Sequence, residues 1–246
     1  MIRIDHDGPV RRITLDRPEK RNALTPSMLA ELADAAESLA DADAGAVLLS
    51  GEGRAFCSGF DLEACRGDAG QEILRGFLRE LSRAVMGLRT APQPVVLCAH
   101  GAAVAGGAAL LGGADVVVAD RGAVFGYPVV RLGISPAVSA PFVRRGVGDG
   151  VCRARLLDPG LIDGARAARV GLVHELTDDA GSAHALAGDI AARLAAKPRG
   201  AMRRTRAWLN DIESLGDEPA AGLDASVRLT EGEEAHRLLE RFWASR

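Results

Sequence analysis

The chain has 246 residues, of which 48% are hydrophobic and 26% are charged, and its formal net charge at pH 7 is −3. This length and composition allow a sizeable core and are typical of a soluble globular protein, and the near-neutral charge gives no reason to expect a nucleic-acid partner. No apolar run is long enough to span a bilayer and no basic-plus-apolar leader opens the chain, so we expect a cytoplasmic protein with no membrane partner.

Strand and helix patterns alternate through the first half of the chain. Residues 1–15 favour a hairpin that turns at Asp7-Gly8, and Thr25-Pro26 is typical of a helix start. Apolar side chains at helical spacing predict a helix over residues 71–88. Further strands are predicted at residues 45–50, 94–98, 115–119 and 123–126. This alternation predicts a largely parallel α/β architecture.

The last part of the chain has a different pattern. From about Ala183 onward one helix follows another, with breaks at Lys197-Pro198 and at residues 216–219. We therefore divide the chain into a core of residues 1–195 and a C-terminal helical region of residues 196–246. The apolar side chains of its last helix must pack on the body or on another subunit; they are Leu238, Leu239, Phe242 and Trp243.

Two glycine-centred segments, residues 51–62 and 100–109, each follow a predicted buried strand. Glycine lets the backbone approach a ligand closely and leaves N–H groups free to bind it. Two such turns brought together can present two donors to one oxygen. That arrangement polarises a carbonyl and stabilises the oxyanion that develops from it.

The second segment also comes close to a dinucleotide-binding fingerprint. The pattern is Gly101-x-Ala103-x-x-Gly106 between a strand and a short helix, with Asp120 at about the distance expected for a ribose contact. The middle glycine is replaced by Ala103, the predicted helix is short, and the unit lies in mid-chain. These departures disfavour that interpretation.

Taken in order, five segments resemble the crotonase (enoyl-CoA hydratase/isomerase) superfamily. They are residues 15–24, 53–62, 100–107, 130–134 and 165–174. The resemblance implies a spiral of β-β-α units that forms two packed sheets, with a C-terminal helical region that assembles homotrimers or dimers of trimers. It also implies an acyl-CoA thioester as substrate, with coenzyme A present only as part of that substrate and no separate cofactor.

Site residues follow from the same resemblance. The oxyanion donors would be the backbone N–H groups of Phe60 and Gly106. Coenzyme A would bind along the backbone near Ala23, with Lys20 or Arg21 near its phosphates. A solvated surface charge is an equally good interpretation of Arg21. The other expected substrate contacts are Ser58, Leu62, Val104, Pro128, Val129 and Leu132.

The chain departs from the family at its proton-transfer groups. Hydratases of this family use two glutamates, and the matching positions here are Ala109 and Val129. No Asp or Glu occurs between Arg121 and Arg145. Because adding water across a double bond needs general acid–base help, the sequence argues against the standard hydratase mechanism.

Three polar side chains remain as candidates for catalysis. Tyr127 could donate to a substrate carboxylate or protonate an enolate, or it could be a core residue with its hydroxyl satisfied. Arg131 could bind a second carboxylate on the substrate or form an ion pair between subunits. Asp61 follows the first donor directly and could instead cap a loop or helix.

Histidine and cysteine usage predicts no metal site. The four cysteines are scattered without a Cys-x-x-Cys pair and are expected to be reduced thiols. His100 is interpreted as a hydrogen-bonded residue at a strand end. The other histidines, at positions 6, 174, 184 and 236, have no metal-ligand spacing with one another or with the cysteines.

The residues therefore favour an enzyme that stabilises a thioester enolate without a strong base, as in decarboxylation of a malonyl-type thioester. One alternative is an ordinary enoyl-CoA hydratase or isomerase with displaced catalytic groups. Another is a non-catalytic protein that binds acyl-CoA.

Overall fold

The computed structural model describes residues 1–245 as two β-sheets surrounded by helices. The strands are β1 (Ile2–Asp7), β2 (Val10–Leu15), β3 (Ala46–Gly51), β4 (Val95–Cys98), β5 (Ala102–Val104), β6 (Val116–Asp120), β7 (Val124–Gly126), β8 (Ile162–Asp163) and β9 (Glu175–Thr177). Six strands form the larger sheet in the order β1-β2-β3-β4-β6-β9, and β5-β7-β8 form the smaller one. Pairing in the larger sheet is parallel apart from the β1–β2 hairpin.

The helices are α1 (Pro26–Glu37), α2 (Gly70–Thr90), α3 (Gly106–Ala109), α4 (Ala140–Leu157), α5 (Gly164–Arg169), α6 (Ala180–Ala195), α7 (Arg199–Glu213), α8 (Glu218–Thr230) and α9 (Glu233–Ala244). In the described part of the chain, residues 1–245, no helix combines the length and apolar character needed to cross a membrane.

Helices cover both faces of the larger sheet. Val47 and Leu49 of β3 point toward the main core, which also contains the buried faces of α1 and α2. Leu48, between them in sequence, points to the opposite face and packs with Ala187 of α6. Burial on both faces explains why these strands are continuous apolar runs rather than alternating ones.

Most of the predicted elements are present. Thr25 caps α1 by accepting a hydrogen bond from the Met28 N–H at 3.2 Å. The hairpin, the four predicted strands and the long helix α2 all occur within a few residues of their expected bounds. The two-sheet α/β fold class is confirmed.

The sequence did not predict β5, which interrupts the second glycine segment, or the elements α4, β8, α5 and β9. The three strands have only two or three residues, too few for a periodic pattern. Helix α4 contains three glycines and is broken by non-helical backbone at Gly148, which hides its helical character.

The C-terminal helices pack on the body of their own chain. Arg206 of α7 is 4% exposed, and its guanidinium pairs with the Asp115 carboxylate at 2.8 Å. The same group donates to the Leu88 carbonyl at 2.8 Å and to the Ala91 carbonyl, both at the end of α2. On α9, the indole N–H of Trp243 donates to the Leu62 carbonyl at 3.1 Å. These bonds fix α7 and α9 beside the elements that form the cavity described below.

Candidate functional site

A cavity of about 460 Å³ lies where the two glycine segments meet α2 and the loop after β7. Its wall is largely apolar and is completed by Phe242 of α9. The lining residues are Ser58, Phe60, Leu62, Leu78, Leu81, Val104, Ala105, Gly106, Ala109, Tyr127, Pro128, Val129, Arg131, Leu132, Ile134, Ser135, Pro136, Val138, Ser139 and Phe242.

The first glycine segment leaves one backbone N–H without a backbone partner. The Leu24 N–H donates to the Gly59 carbonyl and the Asp61 N–H donates to the Leu24 carbonyl, both at 2.8 Å. Phe60 lies between these bonds, and within residues 1–245 its own N–H donates to no backbone oxygen. Its ring stacks on Phe77 with centroids 4.6 Å apart, which holds this stretch of chain against α2.

The second segment leaves another N–H at the same end of the cavity. Gly106 is the first residue of α3, so no intrahelical bond uses its N–H. The residue before it, Ala105, has φ +54° and ψ −116°, a backbone conformation that non-glycine residues rarely adopt. Ala105 is held there by its N–H, which donates to the Gly126 carbonyl at 2.9 Å.

The two segments touch at these residues. A Cβ placed on Gly59 would lie 3.6 Å from the backbone nitrogen of Gly106. A Cβ placed on Gly106 would lie 3.0 Å from Cε1 of Phe60. Gly59 has φ +98°, which favours glycine, and a side chain at Gly106 would press against the Phe60 ring.

The positions that would carry the two glutamates face the cavity. Ala109 and Val129 both line it, together with Gly106. No Asp, Glu, His, Lys or Cys is among the described residues of its wall. The titratable side chains there are Tyr127 and Arg131, and the other polar ones are serine hydroxyls.

Tyr127 lines the cavity, but its hydroxyl is already engaged. It donates to the Ala108 carbonyl at 3.2 Å, and the side chain is buried. Burial raises the pKa of Tyr127 well above its ordinary value, although a hydrogen bond with Ser139 opposes the shift. The phenol is therefore neutral at physiological pH.

Arg131 lies at the cavity wall and is exposed to solvent. Within residues 1–245 no hydrogen bond or ion pair engages its guanidinium. It lies close enough to Asp158 to help lower the pKa of that carboxyl, after the larger effects of the Gly160 N–H and Arg155. A positively charged group is thus available at the cavity.

Asp61 does not line the cavity. Its Oδ2 accepts from Nη1 of Arg17 at 2.7 Å, and its Oδ1 accepts from the Glu63 N–H at 3.4 Å at the start of a short 3-10 helix. The same Arg17 nitrogen donates to the Ala23 carbonyl at 3.0 Å. Asp61 thereby ties the segment before α1 to the first glycine segment.

The three residues expected near coenzyme A also lie outside the cavity wall. Lys20 and Arg21 are exposed, and their carbonyls accept from the Ser58 hydroxyl at 3.5 Å and the Ser58 N–H at 3.1 Å respectively. Because Ser58 lines the cavity, the segment of residues 20–23 borders it.

Asn22, which the sequence analysis did not single out, holds this border in place. It is fully buried with φ +53°, and its amide donates to the carbonyls of Glu52 and Ala55 at 2.9 and 2.8 Å. Its Oδ1 accepts from the Arg17 N–H at 2.8 Å. A lone Asn before a helix is an ordinary turn signal, so nothing in the sequence distinguished it.

The dinucleotide interpretation does not fit these contacts. Asp120 is buried, and its Oδ2 accepts from the Gly101 N–H at 2.8 Å. The carboxylate is therefore used to close the second glycine segment, and β5 of that segment belongs to the smaller sheet.

Several lining residues were missed because they come from distant parts of the chain. Leu78 and Leu81 of α2 read as ordinary core positions, and Phe242 lies near the C-terminus. Apolar periodicity shows that such side chains are buried but not which of them face a cavity.

Comparisons with known proteins agree with this geometry. The model of the enoyl-CoA hydratase/isomerase family matches residues 5–236. A protein of Mycobacterium tuberculosis, named as a probable enoyl-CoA hydratase, is 33% identical over 242 residues, which cover 98% of this chain and 93% of that protein.

Solved structures agree over almost the whole chain. An enoyl-CoA hydratase/isomerase from Xanthobacter autotrophicus has a TM-score of 0.86 at 30% identity, covering 97% of this chain and 91% of that one. An enoyl-CoA hydratase from Mycobacterium avium subsp. paratuberculosis has a TM-score of 0.85 at 25% identity, covering 97% of each chain. The chain therefore belongs to the enoyl-CoA hydratase/isomerase family, within the crotonase superfamily that its five segments resemble.

Proposed function

We propose that the cavity binds an acyl-CoA thioester and that the backbone N–H groups of Phe60 and Gly106 together hold its carbonyl oxygen. Support comes from the contact between the two glycine segments and from the absence of backbone partners for these two donors within residues 1–245. Two fixed donors at a developing oxyanion lower the barrier to enolate formation, and removing one typically slows such reactions by about a hundredfold or more.

The reaction we propose is decarboxylation of a malonyl-type thioester. The bond between the α-carbon and the carboxylate breaks, CO₂ leaves, and the bonding electron pair enters the thioester as an enolate. Water then supplies the proton that completes the product. The observation that carries this proposal is the lack of any carboxylate or imidazole in the described cavity wall, since this route needs no protein base.

Arg131 is the group we assign to the substrate carboxylate. Its guanidinium is at the cavity, and a guanidinium binds a carboxylate through charge-assisted hydrogen bonds. Tyr127 is less suited to this role because its O–H already donates to the Ala108 carbonyl. Lys20 and Arg21, which border the cavity through Ser58, are proposed to approach the phosphates of coenzyme A.

The assignment is tested with Arg131→Met and with Arg153→Met, an exposed arginine outside the cavity, as the matched control. Product formation from malonyl-CoA and methylmalonyl-CoA is followed by mass spectrometry. We expect kcat/KM to fall about tenfold or more in Arg131→Met and to be unchanged in the control. Affinity for acetyl-CoA, which has no carboxylate, should be unchanged in both. Failure of the wild-type protein to act on either malonyl thioester would overturn the proposal.

Hydration, the activity in the names of the relatives, is tested by restoring both glutamates. If only the proton-transfer groups are absent, Ala109→Glu combined with Val129→Glu should create hydration of crotonyl-CoA. The matching double glutamine variant has nearly the same size but cannot transfer protons, so it should remain inactive. A wild-type protein that hydrates crotonyl-CoA would favour displaced catalytic groups instead, and binding without any reaction would favour a non-catalytic acyl-CoA-binding role.

We also propose assembly into a homotrimer or a dimer of trimers. Helix α7 exposes Trp208, Leu209 and Ile212, which lie on one side of the helix. Light scattering should give a multiple of three chains for the wild type and a smaller mass for Trp208→Asp. Ile4→Asp, at an exposed apolar position on β1, is the control and should assemble normally.

A further inference from the structure

Cys98, His100 and His184 lie together beside the larger sheet, away from the cavity. Cys98 ends β4 and packs with α6, and His184 is on α6. One potential ligand atom from each of the three side chains lies within 4.8 Å of the other two. None of the three belongs to the cavity wall. Sequence spacing could not reveal this group because the fold, not the local sequence, brings α6 against β4.

His100 is oriented as metal-binding histidines commonly are. The ring is fully buried, and its Nε2 lies 3.0 Å from the Gly53 carbonyl oxygen. That carbonyl can only accept, so Nε2 carries the hydrogen, and in the neutral ring Nδ1 then has the lone pair that a metal ion needs. Nδ1 is buried and has no hydrogen-bond partner in the described chain. A backbone carbonyl that accepts from the second ring nitrogen is a usual outer contact of a metal-bound imidazole.

Cys98 has a comparable outer contact. Its sulfur accepts a hydrogen bond from the backbone N–H of His100, which favours the thiolate form. Burial has the larger, opposite effect and raises the pKa of Cys98 to about 12, so the free side chain is a thiol at neutral pH. A bound dication supplies the positive charge that removes this proton.

We propose that Cys98, His100 and His184 bind one zinc ion through a thiolate and two imidazole nitrogens. On binding, the Cys98 S–H bond breaks, a Zn–S bond forms, and the proton leaves to solvent without any change of oxidation state. One sulfur and two nitrogen ligands suit tetrahedral Zn²⁺, and water takes the fourth position on the solvent side.

The required adjustment is small. A tetrahedral zinc ion with bonds of about 2.0–2.3 Å keeps its ligand atoms about 3.5 Å apart, so the three atoms must approach by on the order of 1 Å. His184 is only partly buried and can move most, and any approach of the buried Cys98 and His100 side chains to each other must come from rotation of those side chains. The ion would then clamp α6 to the end of β4, immediately before the segment that carries Gly106.

The test uses the full chain, titrated with Co²⁺ as a spectroscopic substitute for Zn²⁺. The variants are His184→Ala, Cys98→Ser and, as control, His6→Ala at an exposed histidine on β1. We expect one ion per chain with a thiolate-to-cobalt charge-transfer band in the wild type and in the control. His184→Ala should bind at least about tenfold more weakly, and Cys98→Ser should lose the band.

Thermal unfolding provides a second measurement that does not depend on the cobalt spectrum. Added Zn²⁺ should raise the Tm of the wild type and of His6→Ala, but not that of His184→Ala, because only a ligand that binds the folded state stabilises it. The proposal is overturned if the wild type binds no ion, if bound cobalt shows no thiolate band, or if His184→Ala binds as tightly as the wild type.

Discussion

Nη1 of Arg17 lies 2.7 Å from Oδ2 of Asp61, and this ion pair joins the segment before α1 to the first glycine segment. Both side chains are about one-fifth exposed, so solvent only partly screens the pair. We expect Asp61→Asn to lower the free energy of unfolding by about 1–2 kcal/mol in urea titrations.

The control for Asp61 is Asp5→Asn, which removes an exposed partner of Arg3 and should change stability by less than about 0.5 kcal/mol. If Asp61 instead takes part in the chemistry, Asp61→Asn would lower kcat strongly while leaving stability intact, which would contradict the structural assignment.

Ala105 is strained in the turn that leads to Gly106. A non-glycine residue with φ +54° and ψ −116° costs about 1–3 kcal/mol, and glycine would relieve most of that strain. Glycine also gives the unfolded chain more conformational freedom, which lowers the free energy of unfolding by about 0.5–1 kcal/mol. We therefore expect Ala105→Gly to raise the free energy of unfolding by about 1 kcal/mol.

Ala103→Gly serves as the comparison for Ala105, because Ala103 lies on β5 with ordinary backbone angles. Ala103→Gly should lower the free energy of unfolding by about 0.5–1 kcal/mol. Equal destabilisation of both variants would show that the Ala105 backbone is not strained.

The buried Tyr127 hydroxyl is expected to stabilise the fold rather than transfer protons. Tyr127→Phe removes the buried hydrogen bond from the phenol to the Ala108 carbonyl, so the free energy of unfolding should fall by about 1–2 kcal/mol. Turnover of the accepted thioester should change by less than about threefold. General acid catalysis typically contributes about a hundredfold or more, so a loss of that size would assign the phenol a proton-transfer role.

The buried thiols should make the metal-free protein less stable at high pH. Burial raises the pKa of Cys57 and Cys98 to about 12 and that of Cys65 to about 11 in the folded chain, whereas unfolded thiols ionise near about 8.5. Above about pH 9 the unfolded chain releases protons that the folded chain retains, so stability present below that pH is lost as the pH rises toward the folded pKa. Each thiol contributes a decline of up to about 1.4 kcal/mol per pH unit.

Urea titrations between about pH 8 and about pH 10 measure this decline. Cys57→Ala should remove the contribution of one thiol to the slope of the free energy of unfolding against pH. It should also lower stability at all pH values because packing around the sulfur is lost. A wild-type stability that stays constant across this range would contradict the buried, protonated state of these thiols.

Local sequence signals located the two glycine segments because backbone geometry demands glycine there. Gly101 has φ +63°, and a Cβ on it would lie 2.1 Å from the Arg54 carbonyl oxygen. The resemblance of these segments to the family indicated Phe60 and Gly106. Alignment on Gly106-Gly107 indicated Ala109, and alignment on Phe125 and Leu132-Gly133 indicated Val129; both residues lie on the cavity wall. These features depend on residues close together in sequence.

Features that depend on distant residues could not be predicted. Phe242 reaches the cavity only because α9 docks on the body, and the bond from Tyr127 to Ala108 depends on how the loop after β7 folds back. The pairing of His100 with His184 likewise requires the position of α6 against β4. Pairwise contacts of this kind leave no periodic or spacing signal in a single sequence.

The most direct test of the account is to give one preparation of the wild-type protein malonyl-CoA and crotonyl-CoA and to follow both by mass spectrometry. A cavity that polarises the thioester but has no proton-transfer side chain predicts loss of CO₂ from malonyl-CoA and no addition of water to crotonyl-CoA. Rapid addition of water to crotonyl-CoA, with malonyl-CoA left unchanged, would contradict the account.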